Sequence, residues 1–132
     1  MPYGSLRITG FDHLVLRCRD VEASLRWYVE VLGLPPVRVG EWRDGTAPFP
    51  SIRISPESII DLIPATGTIT ENNVDHFCVV ADRASVDAVV AGAGTMFNVV
   101  DGPGTRFGAR GVGWSVYVTD PDGNVVEIRS YD

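Results

Sequence analysis

Between Phe11 and Cys18 the chain alternates, with His13, Val15 and Arg17 on one side and Leu14, Leu16 and Cys18 on the other, the period-two pattern of a half-buried strand. Asp20 then offers an N-cap, and Val21, Leu25, Tyr28 and Leu32 recur on one face, which predicts a helix over 21–32 that stops at Gly33. Pro35 and Pro36 forbid its continuation. Three strands are expected next, Val37 to Arg43, Ser51 to Ile54 and Ser58 to Ile63, separated by turn-forming stretches that contain Asp44-Gly45 and Ser55-Pro56. The order then repeats. A strand from Val74 to Val80 precedes a helix over 85–93 with Val86, Val89 and Val90 inward, ended by Gly92 and Gly94. Strands follow at Met96 to Val100, Trp114 to Thr119 and Asn124 to Ser130, the last two joined by a tight turn at Asp120-Pro121-Asp122-Gly123.

Short motifs repeat along with the elements. Phe11-Asp12-His13 returns as Val74-Asp75-His76, and Ile60-Asp61-Leu62 as Val126-Glu127-Ile128, at offsets of 63 and 66 residues. Each half therefore opens with a histidine on a strand and closes with a carboxylate on a strand. If the halves pack about a pseudo-twofold axis, His13, Asp61, His76 and Glu127 can converge on one point. Two imidazoles with two carboxylates suit zinc, iron, manganese, nickel or cobalt. A lone histidine is more often a structural imidazole with a backbone partner, but these are the chain's only two, each matched by a repeated carboxylate.

Strand parity puts Val15 and Arg17 on the His13 face, Cys78 and Val80 on the His76 face, and Arg129 on the Glu127 face, with Ile59 and Ile63 flanking Asp61. A pocket so lined is apolar with guanidiniums able to meet an anionic group, so Arg17, Cys78 and Arg129 are candidate substrate contacts; solvated strand ends are the plainer reading of the two arginines. Asp12 and Asp75 point the other way and read as strand-end hydrogen-bond acceptors. Trp27, Tyr28, Trp42 and Trp114 read as core or interface aromatics. Residues 102–113 hold five glycines with Arg106 and Arg110 among them, and are expected to form either a mobile lid that brings these arginines to substrate or an ordinary long connection. The polar stretch 65–73 reads as the linker between modules.

At 132 residues the chain is expected to be a single domain, with module one at about 8–66 and module two at about 72–132. Its net charge is −6 and its 11 basic residues are all arginine. With no basic run, nucleic acid is not the expected partner. The lack of lysine excludes Schiff-base chemistry and a phosphate-loop lysine. Cys18 and Cys78 should face opposite ways, which argues against a disulfide between them. The first seven residues show no apolar signal core and no apolar stretch approaches ~20 residues, so the expected setting is a reducing cytoplasm without membrane contact.

The duplication, with Phe11-Asp12-His13-Leu14-Val15-Leu16, Val74-Asp75-His76-Phe77 and Asp120-Pro121-Asp122-Gly123-Asn124-Val125-Val126-Glu127-Ile128, resembles the vicinal oxygen chelate superfamily, which includes glyoxalase I, extradiol dioxygenases and bleomycin-resistance proteins. The resemblance covers 11–131. It implies an α+β fold: two tandem βαβββ modules forming a curved, cleft-bearing mixed sheet with helices outside. It also implies metal ligands at His13, His76 and Glu127, with Asp61 at the position of a fourth ligand that is often glutamate. Aspartate is one methylene shorter, which leaves its ligation open. The implied cofactor is a divalent ion (Zn, Fe, Ni, Co, Mn or Mg), and the implied partners are a small-molecule substrate with adjacent oxygens and, by analogy, a second copy in a homodimer.

Three functions follow from that resemblance. The first is a metal-dependent glyoxalase-like lyase or isomerase, in which Asp61 or Glu127 acts as general base. The second is a non-haem Fe(II) extradiol-type dioxygenase using His13, His76 and Glu127 as a facial triad. The third is a non-enzymatic, drug-sequestering resistance protein, which needs no metal ligands.

Overall fold

The computed structural model describes residues 11–67, 74–108 and 110–132. The amino-terminal segment and residues 68–73 of the expected linker lie outside the described residues. Module one runs β1 (His13–Cys18), α1 (Val21–Arg26), β2 (Pro36–Val37), α2 (Val39–Arg43), β3 (Ser51–Ser55) and β4 (Ser58–Pro64). Module two runs β5 (Phe77–Val80), α3 (Arg83–Ala91), β6 (Val99–Gly108), β7 (Gly111–Thr119) and β8 (Val125–Ser130). The tandem βαβββ order expected of the chain is therefore the order observed. The strands form two four-stranded mixed sheets, β1-β4-β3-β2 and β5-β8-β7-β6. In each, the first strand of the module lies parallel to the last and occupies a sheet edge.

One face of each sheet is apolar and covered. Leu16, Cys18, Ile52, Ile60 and Leu62 of the first sheet, with Leu25 and Tyr28 of the first helix, join Val86, Val89, Val116, Val118, Val126 and Ile128 of module two in one buried cluster. Asp20 caps α1 by accepting from the Ala23 amide, and Asp82 caps α3 by accepting from that of Ser85. After Arg26 the helix widens into a single π turn at Trp27–Val31 and ends at Leu32. Among the described residues no helix is long and apolar enough to cross a membrane.

Three elements differ from the sequence expectation. The strand expected at 74–80 begins only at Phe77, so His76 precedes β5 and is not on it. The strand expected at 37–43 is only two residues long, because Arg38 takes a left-handed conformation (φ 59°) and turns the chain into α2. Val39 and Trp42, three apart, then pack against the core, a helical spacing that the Val37/Val39 alternation had masked. The glycine-rich 102–113 stretch is not a separate loop. Most of it is the β6–β7 hairpin, paired from Val99↔Val118 to Gly108↔Gly111. A Cβ on Gly108 would overlap the Arg129 guanidinium, and one on Gly113 would sit 2.8 Å from the Ser130 carbonyl. Those glycines leave room for a side chain crossing from β8, at the expense of the alternation by which a strand is recognised.

The turn between β7 and β8 ties the modules together. The Asp120 carboxylate accepts from the Asp122 and Asn124 amides, from Asn124 Nδ2 and, at 2.8 Å, from the Tyr28 hydroxyl. Asp122 accepts from the Arg19 amide and from Ser24 Oγ. Tyr28 is fully buried. Tyr28→Phe is expected to cost about 1.5–3 kcal/mol, the scale of a buried hydrogen bond to a charged group, read as a lowered urea midpoint with unchanged m-value.

Candidate metal and substrate site

The open faces of the two sheets carry the candidate ligands, and the parallel strand pairs place them by one rule. Asp61 lies opposite Val15, two residues beyond His13; Glu127 lies opposite Cys78, two residues beyond His76. Each histidine thus meets the carboxylate of its own module on a diagonal. His76 Nε2 is 3.2 Å from Glu127 Oε1, and His13 Nε2 is 4.0 Å from Asp61 Oδ2. Within one chain the four side chains make two pairs and do not converge. Among the described residues, no three His, Cys, Asp or Glu side chains gather closely enough to hold a metal ion.

In each pair the ring and the carboxylate are both held in place. An ionised carboxylate only accepts, so the ring Nδ1–H of His13 donates to Asp12 and that of His76 to Asp75, both at 2.7 Å. The contact fixes each ring with Nε2 on the side of its own module's carboxylate, and an outer carboxylate orients metal-bound histidine in the same way. Sequence parity had assigned Asp12 and Asp75 no part in the site. The 3.2 Å between His76 Nε2 and Glu127 Oε1 fits two adjacent ligands that each lie ~2.1 Å from one ion, whereas the 4.0 Å of the His13 pair is wider than that.

The two carboxylates are held differently. Glu127 Oε2 accepts from Ser115 Oγ at 2.7 Å and from Arg129 Nε and Nη2 at 3.2 and 2.9 Å, which leaves Oε1 for His76. Burial works to raise the Glu127 pKa, but the hydrogen bonds from Ser115, Arg129 and Tyr117 and the Arg129 charge outweigh it, and the group lies below the ordinary glutamate value. Asp61 Oδ1 accepts from Ser51 Oγ at 2.6 Å, and the nearest guanidinium nitrogen, Arg38 Nη2, is 3.7 Å away. Ser51 and Ser115 stand 64 residues apart, so the duplication itself could have revealed them. Arg38 has no such signal.

The candidate substrate contacts scatter. Arg129 is 2% exposed and spends its donors on Glu127, the Phe107 and Gly111 carbonyls and the Tyr131 hydroxyl, which makes it a support for Glu127. Arg106 pairs with Asp101 at 3.2 Å and lies 5.6 Å from the Tyr117 ring centre. Arg110 stacks on Tyr131 at 4.4 Å. Arg17 is exposed, with no ion pair among the described residues. Cys78 is exposed beside Glu127, and desolvation followed by the Glu127 charge pushes its thiol up to about 11, so it stays protonated and is a poor nucleophile. Tyr117, which sequence reasoning missed, faces Glu127 across the β7–β8 pair and meets the His76 ring edge-on at 5.4 Å. With Asp75, His76, Val100, Asp101 and Val125 it lines a cavity of about 260 Å³.

Two outcomes are expected of this geometry. The hydrogen bond to Asp12, and then the Asp61 and Asp12 charges, raise the His13 pKa above its ordinary 6.5 against a smaller effect of burial. A raised folded-state pKa means that the histidine's contribution to stability is complete below the unfolded value and is lost as pH rises through the folded one. Asp12→Asn is therefore expected to lower the His13 titration midpoint, measured by NMR of the ring protons. Arg129→Met leaves Glu127 buried without its cation, with an expected cost of about 3–5 kcal/mol by urea denaturation.

Comparison with known proteins agrees with this architecture. Over 125 residues the chain is 32% identical to virulence protein STM3117 of Salmonella typhimurium, covering 94% of this chain and 85% of that one. Over 126 residues it is 30% identical to the glyoxalase domain-containing protein RDO1 of Mycosarcoma maydis, covering 96% and 70%. Among solved structures, integron cassette protein VCH_CASS1 from V. cholerae superposes with a TM-score of 0.76 at 27% identity, covering 98% of this chain and 100% of that one. The family model for the glyoxalase/bleomycin resistance protein/dioxygenase superfamily matches residues 10–128. The chain belongs to that superfamily.

Proposed function

We propose that the protein is a metal-dependent enzyme acting on a small molecule with two neighbouring oxygens, as a glyoxalase-like lyase or isomerase. The observation that carries this reading is the prepared half-site: an imidazole oriented by its own outer carboxylate, 3.2 Å from a carboxylate whose second oxygen is already satisfied. Surface histidines have no need of such support. A divalent ion bound there would chelate the two substrate oxygens and stabilise negative charge developing on them.

His76 and Glu127 supply the tighter pair and His13 the third donor. Because one chain leaves His13 in a separate pair, the reading includes a homodimer in which His13 of one protomer meets His76 and Glu127 of its partner. Asp61, held through Oδ1, keeps Oδ2 free and is suited to take a carbon-bound proton as general base. Desolvation first, then the Glu127 charge, raises the Tyr117 pKa, so its hydroxyl stays protonated and supports Glu127 at the edge of the cavity beside His76. The same three ligands are those of an iron(II) oxygenase, and oxygen uptake on a catechol distinguishes that chemistry.

The decisive experiment mixes two defective chains. His13→Ala and His76→Ala/Glu127→Ala homodimers are each expected to lose the metal that the wild-type protein binds at about one ion per chain, while the mixed dimer regains one complete site. Metal analysis with sedimentation reads this directly. Restored metal in the mixture establishes a shared site; unchanged metal in every variant removes these residues from the site altogether.

A further inference from the structure

Arg38 is built for a task that its intramolecular contacts do not use. It is the one non-glycine residue with positive φ among the described residues, at φ 59° and ψ 26°. The left-handed region is costly for a side chain with a Cβ and is ordinarily given to glycine or asparagine. An arginine kept there points to the side chain as the reason. Its guanidinium lies over the open face of the first sheet, where Nη2 donates to Ser51 Oγ at 2.9 Å and approaches Asp61 Oδ1 at 3.7 Å.

A structural partner for a buried carboxylate looks different, and module two supplies the example. Arg129 is 2% exposed and hydrogen-bonds through Nε, Nη1 and Nη2. The Arg38 side chain is 43% exposed, and among the described residues only Nη2 has a partner. Nε and Nη1 are left to present donors to solvent beside Asp61. Ser51 donates its own proton to Asp61 while accepting from Arg38, so the guanidinium is oriented without being consumed.

The surroundings carry the same sign. Strand register places Arg53, beside Ile59, on the face that bears His13, Asp61 and Arg17. Arg53, held on the Ser55 and Pro56 carbonyls, and exposed Arg17 thus add two cations to the sheet face over which Arg38 lies, in a chain whose net charge is −6. We infer that Arg38 anchors an oxyanion subsite on the first sheet, so that the substrate carries a carboxylate, phosphate or phosphonate in addition to its vicinal oxygens. The guanidinium fork takes two oxygens of such a group at once. This deepens the proposed function but does not need the metal in order to be observed.

The test uses metal-stripped full-length protein titrated with inorganic phosphate, methylphosphonate and acetate, followed by the arginine Nε–Hε resonances in NMR. Wild type is expected to show saturable shifts at Arg38, and the order of the three affinities identifies which oxyanion the subsite prefers. Arg38→Gly is expected to lose at least about tenfold in that affinity while melting at the same or a higher temperature, since glycine relieves the left-handed backbone. Arg83→Ala, which removes an exposed arginine on α3, is expected to leave binding unchanged.

Absent saturation in wild type, equal loss in Arg83→Ala, or undiminished binding by Arg38→Gly overturns the subsite. A marked fall in melting temperature for Arg38→Gly also overturns it, because Arg38 would then serve to neutralise Asp61. Failure of the metal reading appears separately, in metal analysis of the mixed dimer.

Discussion

The Asp120 carboxylate is the contact on which the rest of the molecule depends. It is 5% exposed, yet it is fully engaged by two backbone amides, one side-chain amide and the Tyr28 hydroxyl. A buried charge is tolerable only with such satisfaction, so the turn has little freedom to adopt another form. Because one donor comes from the first helix of the other module, the turn fixes two things together. It sets where β8 begins, and it sets where module one sits against that strand. Asp122 adds bonds to Arg19 and Ser24, and Glu127 follows a few residues later on the strand so placed.

Much of this was legible in the sequence wherever a local rule was enough. Asp20 ahead of apolar periodicity marked the start of the first helix, and Asp120-Pro121-Asp122-Gly123 marked the turn. Duplication identified both histidines and both carboxylates. It did not reveal that parallel pairing joins each histidine to its own module's carboxylate, since register is settled between strands and not along them. The β6–β7 hairpin was hidden in part because Gly108 answers to Arg129, a residue about twenty positions away. The α2 turn was hidden by the backbone of Arg38, which nothing in its neighbours' side chains announces.

The repeat has kept its plan and changed its electrostatics. In both modules a serine donates to the carboxylate, the preceding aspartate holds the histidine, and an arginine lies near. In module two that arginine is enclosed between hairpin and strand, and against burial its hydrogen bonds join that of Ser115 in holding the Glu127 pKa below the ordinary glutamate value. In module one the arginine comes from the loop before α2, remains half-exposed and reaches the carboxylate chiefly through Ser51. The same four-part design thus yields a carboxylate firmly committed to its ionised form in one half and an accessible cation in the other.

Access explains why the halves are arranged this way. His13 opens β1 and His76 immediately precedes β5, both of them edge strands, and the two side chains are 48% and 36% exposed. Their carboxylate partners sit one strand inward, on β4 and β8, and are only 7% and 5% exposed. An edge strand has hydrogen-bonding neighbours on one side only, so any further donor to the Nε2 atoms must arrive from beyond the edge and not from within the same sheet. Protected carboxylates on inner strands keep their position, while exposed imidazoles at the rim meet what approaches. A substrate oxygen, an ion or a second copy of the chain would all approach the pair from its imidazole side.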